Sequence, residues 1–497
     1  MTAVGSGERA GGSVDTADDR RLRLRFPLPA LRSPLVLLAL SLYFTPVSAQ
    51  EPNWDAVKPQ TVTHLQRLIK INSVNPPGNE MAVARYLEGV LKAARIETQL
   101  FEPSPGRAAL IARLRGNGSK RPVILMAHMD VVGVEPEHWS VDPFEGVVEG
   151  GYLYGRGAID DKGMLAANLV TMLLLKQHVV DAGGTLARDV IFVATSDEEG
   201  QGKWGIGWIV QNHPELVNAE FALNEGGRTR IVNGKPLYLA VQSTEKVPHN
   251  VRVTATGPSG HASIPLEGNA ILRLGRALAA IGAHREPVRI TPTSRVFFRE
   301  LSKVWPDGRV RAAMADVASR ERARVTRGAR VLEKIPVFNA VIRNGISATM
   351  TEGGIRSNVI PADAWANLNI RTLPGESIDS VVARLRTAVN DRQVTIDVTD
   401  RTEHDPPASS YESAMFAAIR ESARALSPNL AVVPYLSTGA TDNAVLRAGG
   451  MHAYGILPFP MDQGDEDRMH GHDERVPLES LHFGTRLIYG AIRRVTQ

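Results

Sequence analysis

Residues 123–130 read Val-Ile-Leu-Met-Ala-His-Met-Asp. Five apolar residues that stop at a histidine describe a short strand buried on both faces and ending in polar chemistry. Two later segments repeat the pattern. The apolar run 190–194 stops just before Asp197-Glu198-Glu199, and 221–223 stops just before Glu225. Between the first two strands, residues 163–178 carry apolar side chains at helical spacing. Buried strands alternating with helices predict an α/β fold, and in such sheets ligands gather beyond the carboxyl ends of the strands.

Working outward, helical patterns cover 57–71 and 80–94, separated by the loop Asn75-Pro76-Pro77-Gly78. The pattern changes near residue 245. Residues 251–256 alternate like a half-exposed strand and 269–283 read as a helix. Strands follow at 347–350 and 364–370, then a helix at 378–389 and a strand at 394–398. Strand-helix-strand-strand-helix-strand is the ferredoxin-like order. The expected organisation is a catalytic domain in two parts, 50–244 and 401–497, with an inserted α+β domain at 245–400. The insertion would include an Arg-rich excursion over 286–344. Its arginines are interspersed with Asp316, Glu321 and Glu333 and read as solvated helix faces.

Composition narrows the function. Of 497 residues, 43% are hydrophobic and 22% charged, the balance of a soluble globular enzyme. The net charge is +4, and the first 49 residues, with six Arg and four acids, account for half of it. Nucleic-acid binding is not indicated. Cysteine is absent, so there are no disulfides or thiolate ligands. Arg20, Arg21, Arg23, Arg25 and Arg32 precede an apolar run over 34–47, which is shorter than the roughly 20 residues of a membrane span. Val47-Ser48-Ala49 is a small-residue cleavage pattern. Residues 1–49 are therefore expected to be a secretory signal peptide cleaved after Ala49, giving a secreted or periplasmic protein. The alternative is an uncleaved membrane anchor.

Five short contexts hold the chemistry: MAHMD with His128 and Asp130, GRGAIDDKG with Asp160, TSDEEG with Glu198 and Glu199, LNEGG with Glu225, and MHGHDER with His470. Two imidazoles and several carboxylates suit a borderline divalent metal such as zinc, cobalt or manganese. One carboxylate beyond the ligands suggests a general base. Side chains two apart on a strand point the same way, so Asp130 can accept the second imidazole N–H of His128. A rival motif, Gly200-Gln-Gly-Lys-Trp-Gly205, reads GxGxxG, but three acids just before it would repel a pyrophosphate.

The order and spacing of these contexts resemble the M20 family of metallopeptidases, the aminoacylase and carboxypeptidase clan, from residue 57 to the C-terminus. The resemblance implies a zinc-exopeptidase-like catalytic domain, with a central mixed sheet flanked by helices, and a ferredoxin-like lid and dimerisation domain. It implies two divalent ions, zinc foremost with cobalt or manganese as alternatives, held by His128, Asp160, Glu199, Glu225 and His470. Asp160 would bridge them, with a cis peptide to Asp161, and Asn224 stands where relatives often carry Asp. Glu198 would be the general base and His261, in Pro-Ser-Gly-His-Ala-Ser, the oxyanion donor, reaching a partner's site in dimeric relatives. Arg371 and Asn358 would grip a substrate carboxylate, and Gly439 and Thr441 would line the substrate pocket.

The implied reaction is hydrolysis of an amide or peptide bond next to a free carboxylate by a metal-bridging hydroxide. The substrate would be a small peptide, cut in carboxypeptidase fashion. The alternative in the same class is an N-acyl amino acid, cut by an aminoacylase-like enzyme. A non-catalytic metal-binding protein on the same fold is the alternative from another class.

Overall fold

Val123–His128 lies near the middle of a large mixed sheet. The computed structural model describes residues 51–200, 202–402 and 405–497. The expected signal segment lies outside the described residues. Among the described residues this sheet has ten strands. The order is Glu97–Phe101, Ala109–Leu114, Val190–Thr195, Val123–His128, Phe221–Asn224, His452–Gly455, Lys235–Glu245, Arg228–Val232 and Pro460–Met461, with Ala431–Ser437 also paired to Lys235–Glu245. The three predicted strands are parallel neighbours, with His128 opposite Thr195 and Leu125 opposite Leu223. Their carboxyl ends therefore share one edge of the sheet.

Strand alternation divides the core into two layers. Val123, Leu125 and Ala127 join a cluster with residues of the helices Trp54–Ile69, Glu80–Ala93, Lys162–Leu175, Ala414–Leu426 and Leu478–Val495. Ile124 and Met126 face the other way, toward Ile206, Ile209 and Leu446. Each fully buried aliphatic side chain contributes about 1.5–3 kcal/mol of burial free energy. Lys162–Val180 is long and apolar enough to cross a membrane, yet most of it is buried inside the protein. A helix apolar all round belongs in such a core.

A second sheet begins where the strand Lys235–Glu245 gives way to Val247–Thr256, with only Lys246 between them. It is antiparallel, in the order Gly345–Gly353, Asp363–Thr372, Val247–Thr256, Val394–Arg401. The helices Ala270–Ala283 and Ile378–Val389 bury Leu274, Ala277, Val381 and Leu385 against Val251, Val253 and Leu368.

The excursion over 286–344 departs from expectation. Its helices Pro292–Leu301, Gly308–Val317, Arg322–Leu332 and Pro336–Ile342 pack on the large sheet, not within the inserted unit. Phe297, Phe298 and Phe338 meet Tyr238, Ala240, Val433 and Tyr435 of the strands Lys235–Glu245 and Ala431–Ser437. The small sheet already has two helices in its apolar cluster, whereas this part of the large sheet needed a cover. Arg309, Arg311, Arg320, Arg322, Arg327 and Arg330 are exposed, and Arg324 and Arg327 pair with Asp316 at 2.9 and 2.7 Å.

Candidate metal centre

The three strand ends and one distant loop converge. His128 Nε2 lies 2.9 Å from Asp160 Oδ1. His470 Nε2 lies 3.1 Å from Asp160 Oδ2 and 2.9 Å from Glu199 Oε1. One donor atom each from His128, Asp160 and Glu199 all fall within 4.8 Å of one another. The Asp160–Asp161 peptide is cis. Glu225 and Asp160 both border a cavity of about 300 Å³, whose lining includes Gly439, Thr441, Leu457 and Met469.

Backbone restraints hold these groups from behind. The buried carboxylate of Asp130 accepts the main-chain N–H of Glu198 at 3.2 Å and of Glu199 at 3.0 Å, and the Asn75 side-chain amide at 2.8 Å. The expected bond from His128 Nδ1 goes instead to the main-chain carbonyl of Asp130, at 3.0 Å, with the carboxylate 3.6 Å away. The reason is that the carboxylate is committed to the Glu198–Glu199 turn. Burial opposes its ionisation, but His128, Asn75 and the Glu199 amide together hold its pKa below the usual carboxylate range. Glu474 accepts the main-chain N–H groups of Gly157, Ile159 and Asp160 at 3.1, 2.8 and 3.2 Å, presenting Asp160 from the opposite side.

The donor set fits a cation. A carbonyl can only accept, so Nδ1 of His128 carries a proton, and in a neutral ring Nε2 would turn its lone pair toward Asp160. His470 Nε2 likewise faces two carboxylates. Asp160 and Glu199 raise the His470 pKa to about 10, and, against its burial, Asp130 and Asp160 raise that of His128. The cluster therefore calls for positive charge between these nitrogens and oxygens, which a proton or a divalent ion supplies. Burial, followed by repulsion from Glu198, Asp160 and Asp161, pushes the Glu225 carboxyl well above the usual range. Burial also raises Glu198, against the pull of His128 and reinforced by Asp442, Asp160 and Glu199. The Asp442 carboxyl is pushed up to about 7, chiefly by burial. Divalent ions among these oxygens relieve both the desolvation and the repulsion.

The two adjacent glutamates part company here. Glu199 pairs with His470, whereas among the described residues the Glu198 carboxylate makes no hydrogen bond or ion pair. Arg371 is half-buried, donates to Asn369 Oδ1 at 2.9 Å and lies within the field of Glu245 and Glu198. Burial lowers its pKa and those carboxylates oppose the drop. His261 and Asn358 behave differently. The bridge Gly260–His261 pairs with Val359–Ile360, and Ala262 N–H donates to the Asn358 carbonyl at 3.0 Å, so both residues sit on one exposed ribbon. Among the described residues, no hydrogen bond or ion pair links either side chain to the Asp160 cluster.

The GxGxxG segment is not a phosphate cradle. The main-chain N–H groups of Lys203 and Trp204 are bonded to the Asp197 carboxylate at 2.9 and 3.2 Å. Four residues with parts in this centre escaped sequence reasoning: Asn75, Glu474 as a loop anchor, Arg156, which pairs with the Glu474 carboxylate, and Asp442. Asn75 in a Pro-Pro-Gly loop and Glu474 in MHGHDER carried a signal, but nothing local assigned their partners.

Known proteins resemble this chain in sequence and in fold. The profile of peptidase family M20/M25/M40 matches residues 124–494. The chain is 26% identical over 386 residues to human N-fatty-acyl-amino acid synthase/hydrolase PM20D1, covering 76% of this chain and 74% of that protein. It is 28% identical over 439 residues to human aminoacylase-1, covering 86% and 94%. The fold is similar to that of an M20 family metallo-carboxypeptidase from Sulfolobus solfataricus, with a TM-score of 0.65, 20% identity and coverage of 88% and 99%.

Proposed function

The chain belongs to peptidase family M20/M25/M40 and is an enzyme of the peptidase and amidohydrolase type, and from that premise we propose that it hydrolyses an amide bond adjacent to a free carboxylate. The observation that carries the reading is the division between Glu199, tied to His470, and Glu198, free beside the same cluster. His128, Asp160, Glu199, Glu225 and His470 would hold two divalent ions, with zinc the first choice for this nitrogen and oxygen set. Bound there, the ions would polarise the scissile carbonyl and acidify water.

The chain's own residues supply the rest. Glu198 takes a proton from the attacking water and delivers it to the departing nitrogen. His261 donates a hydrogen bond to the oxygen on which charge develops. Its Nδ1 accepts from the Ser263 main-chain N–H at 3.1 Å, so in the neutral ring the proton sits on Nε2 and is available to donate. Arg371 pairs with the substrate carboxylate, a planar match to guanidinium. The exposed position of His261 supports delivery of its ring from a second copy of the chain. The cleavage pattern at Ala49 supports export.

Two substrate classes share this chemistry. Likeness to a metallo-carboxypeptidase fold supports peptides cut at the C-terminal residue. Sequence identity to aminoacylase-1 and PM20D1 supports N-acyl amino acids. The test is a panel of both, each with free and amidated carboxylates, on zinc- and cobalt-loaded protein. Turnover is expected on free-carboxylate members, and the class cut faster names the substrate. No turnover of any member by folded protein carrying two ions would refute the reading.

A further inference from the structure

The main-chain carbonyl of Glu225 accepts a hydrogen bond from Asn443 Nδ2 at 2.9 Å, and the same amide donates to Gln242 Oε1 at 2.6 Å. Gln242 Nε2 donates to Glu245 Oε2 at 2.7 Å. Glu245 pairs with Arg447 at 2.9 Å and also accepts from Thr441 Oγ1 at 2.9 Å. Gln242, Asn443, Glu245 and Arg447 are all at most 4% exposed.

Both ends of this chain of bonds fix its direction. A carboxylate paired with guanidinium only accepts, so Gln242 must turn its NH₂ toward Glu245 and its oxygen toward Asn443. Asn443 must then donate, and the Glu225 carbonyl can only accept. Neither amide can flip without setting like groups against each other. The packing leaves no slack. Gly226, next to the candidate ligand, has φ +116°, and a Cβ there would come 2.6 Å from Gln242 Oε1.

We propose that Asn443, Gln242 and Glu245 are positioning residues for metal binding: a buried relay that fixes the backbone of Glu225 so that its carboxylate meets the ion. The proposal rests on the reading of Glu225 as a ligand. Partners that orient metal ligands are typically worth ten- to a hundredfold in metal affinity. Thr441 belongs to the same network, so the turn that lines the substrate cavity and the backbone of the ligand are set by one carboxylate.

The experiment is equilibrium dialysis of the full chain against zinc, with circular dichroism to establish folding. Asn443→Leu is close in size but cannot donate. Gln242→Met breaks the next link and serves where Asn443→Leu does not fold. Glu225→Ala is the reference. The relay variants are expected to hold one ion as the unaltered protein does and the other about ten- to a hundredfold more weakly. Glu225→Ala is expected to lose that same ion. If Glu225→Ala loses an ion while the folded relay variants bind both normally, or weaken both alike, the relay is overturned and the ligand reading stands. If Glu225→Ala itself keeps both ions, the ligand reading falls and takes the relay with it.

Discussion

Arg156 Nη1 and Glu474 Oε2 meet at 2.6 Å, and both side chains are buried, at 2% and 0% exposure. Glu474 holds the main chain of Ile159 and Asp160, while Arg156 Nη2 donates to the carbonyls of Gly471 at 2.9 Å and His470 at 3.3 Å. One ion pair thus clamps the loop bearing Asp160 to the loop bearing His470. Removing one partner of a buried pair costs about 3–5 kcal/mol, because the other charge is left unsatisfied. Glu474→Ala and Arg156→Ala are each expected to lose stability on that scale in denaturant unfolding, and to bind zinc more weakly. The double variant Arg156→Met with Glu474→Leu is expected to regain stability but not zinc affinity. Single variants as stable as the unaltered protein would show that the pair is not a clamp.

Glu198→Gln is expected to keep the fold and both ions while turnover falls about 10²–10⁴-fold, since an amide cannot carry the proton. Metal analysis and steady-state kinetics on the same preparation check this. Near-normal turnover by the loaded variant would remove Glu198 from the reaction.

Chelation is expected to abolish activity, and zinc, cobalt or manganese to restore it. Elemental analysis of active protein should approach two ions per chain. Full turnover by metal-stripped protein would sink the mechanism. A single ion would argue against Asp160 as a bridge.

Arg371→Ala is expected to impair substrates with a free carboxylate more than their amidated counterparts. The half-buried guanidinium lies within the field of Glu198, and it matches a carboxylate bidentately. Equal losses on both kinds of substrate would make Arg371 a structural residue.

Mixing two inactive chains tests whether His261 acts across a dimer. If it does, a heterodimer of Glu198→Gln and His261→Ala chains has one site with both defects and one intact site. Re-formed dimers are then expected to recover activity. No recovery despite demonstrated subunit exchange would eliminate action across the dimer and leave the oxyanion role to be tested within one chain.

Much of the large sheet was legible because a buried strand announces itself locally. The runs 123–127, 190–194 and 221–223 became the parallel neighbours Val123–His128, Val190–Thr195 and Phe221–Asn224. Where the excursion over 286–344 packs was not legible, because its helices are amphipathic in any setting. An apolar stripe states that something is covered, not what. Phe297 and Phe338 found Tyr238 and Tyr435 only because Lys235–Glu245 and Ala431–Ser437 pair side by side.

The sequence by itself determined which residues can do chemistry: His128, Asp160, Glu198, Glu199, Glu225 and His470 were each readable from a few neighbours. Tertiary structure alone decided which of them pair. Glu198 and Glu199 are chemically identical and adjacent, and only the approach of His470 leaves one paired and the other free. Asp130 was readable as a partner of His128, yet packing gave its carboxylate to the Glu198–Glu199 turn. The Arg156–Glu474 clamp joins segments more than 300 residues apart. Hydrophobic periodicity and turn chemistry act over a few residues and are written along the chain. Which lone pair faces which proton depends on distances between segments, and those exist only once the layers have packed.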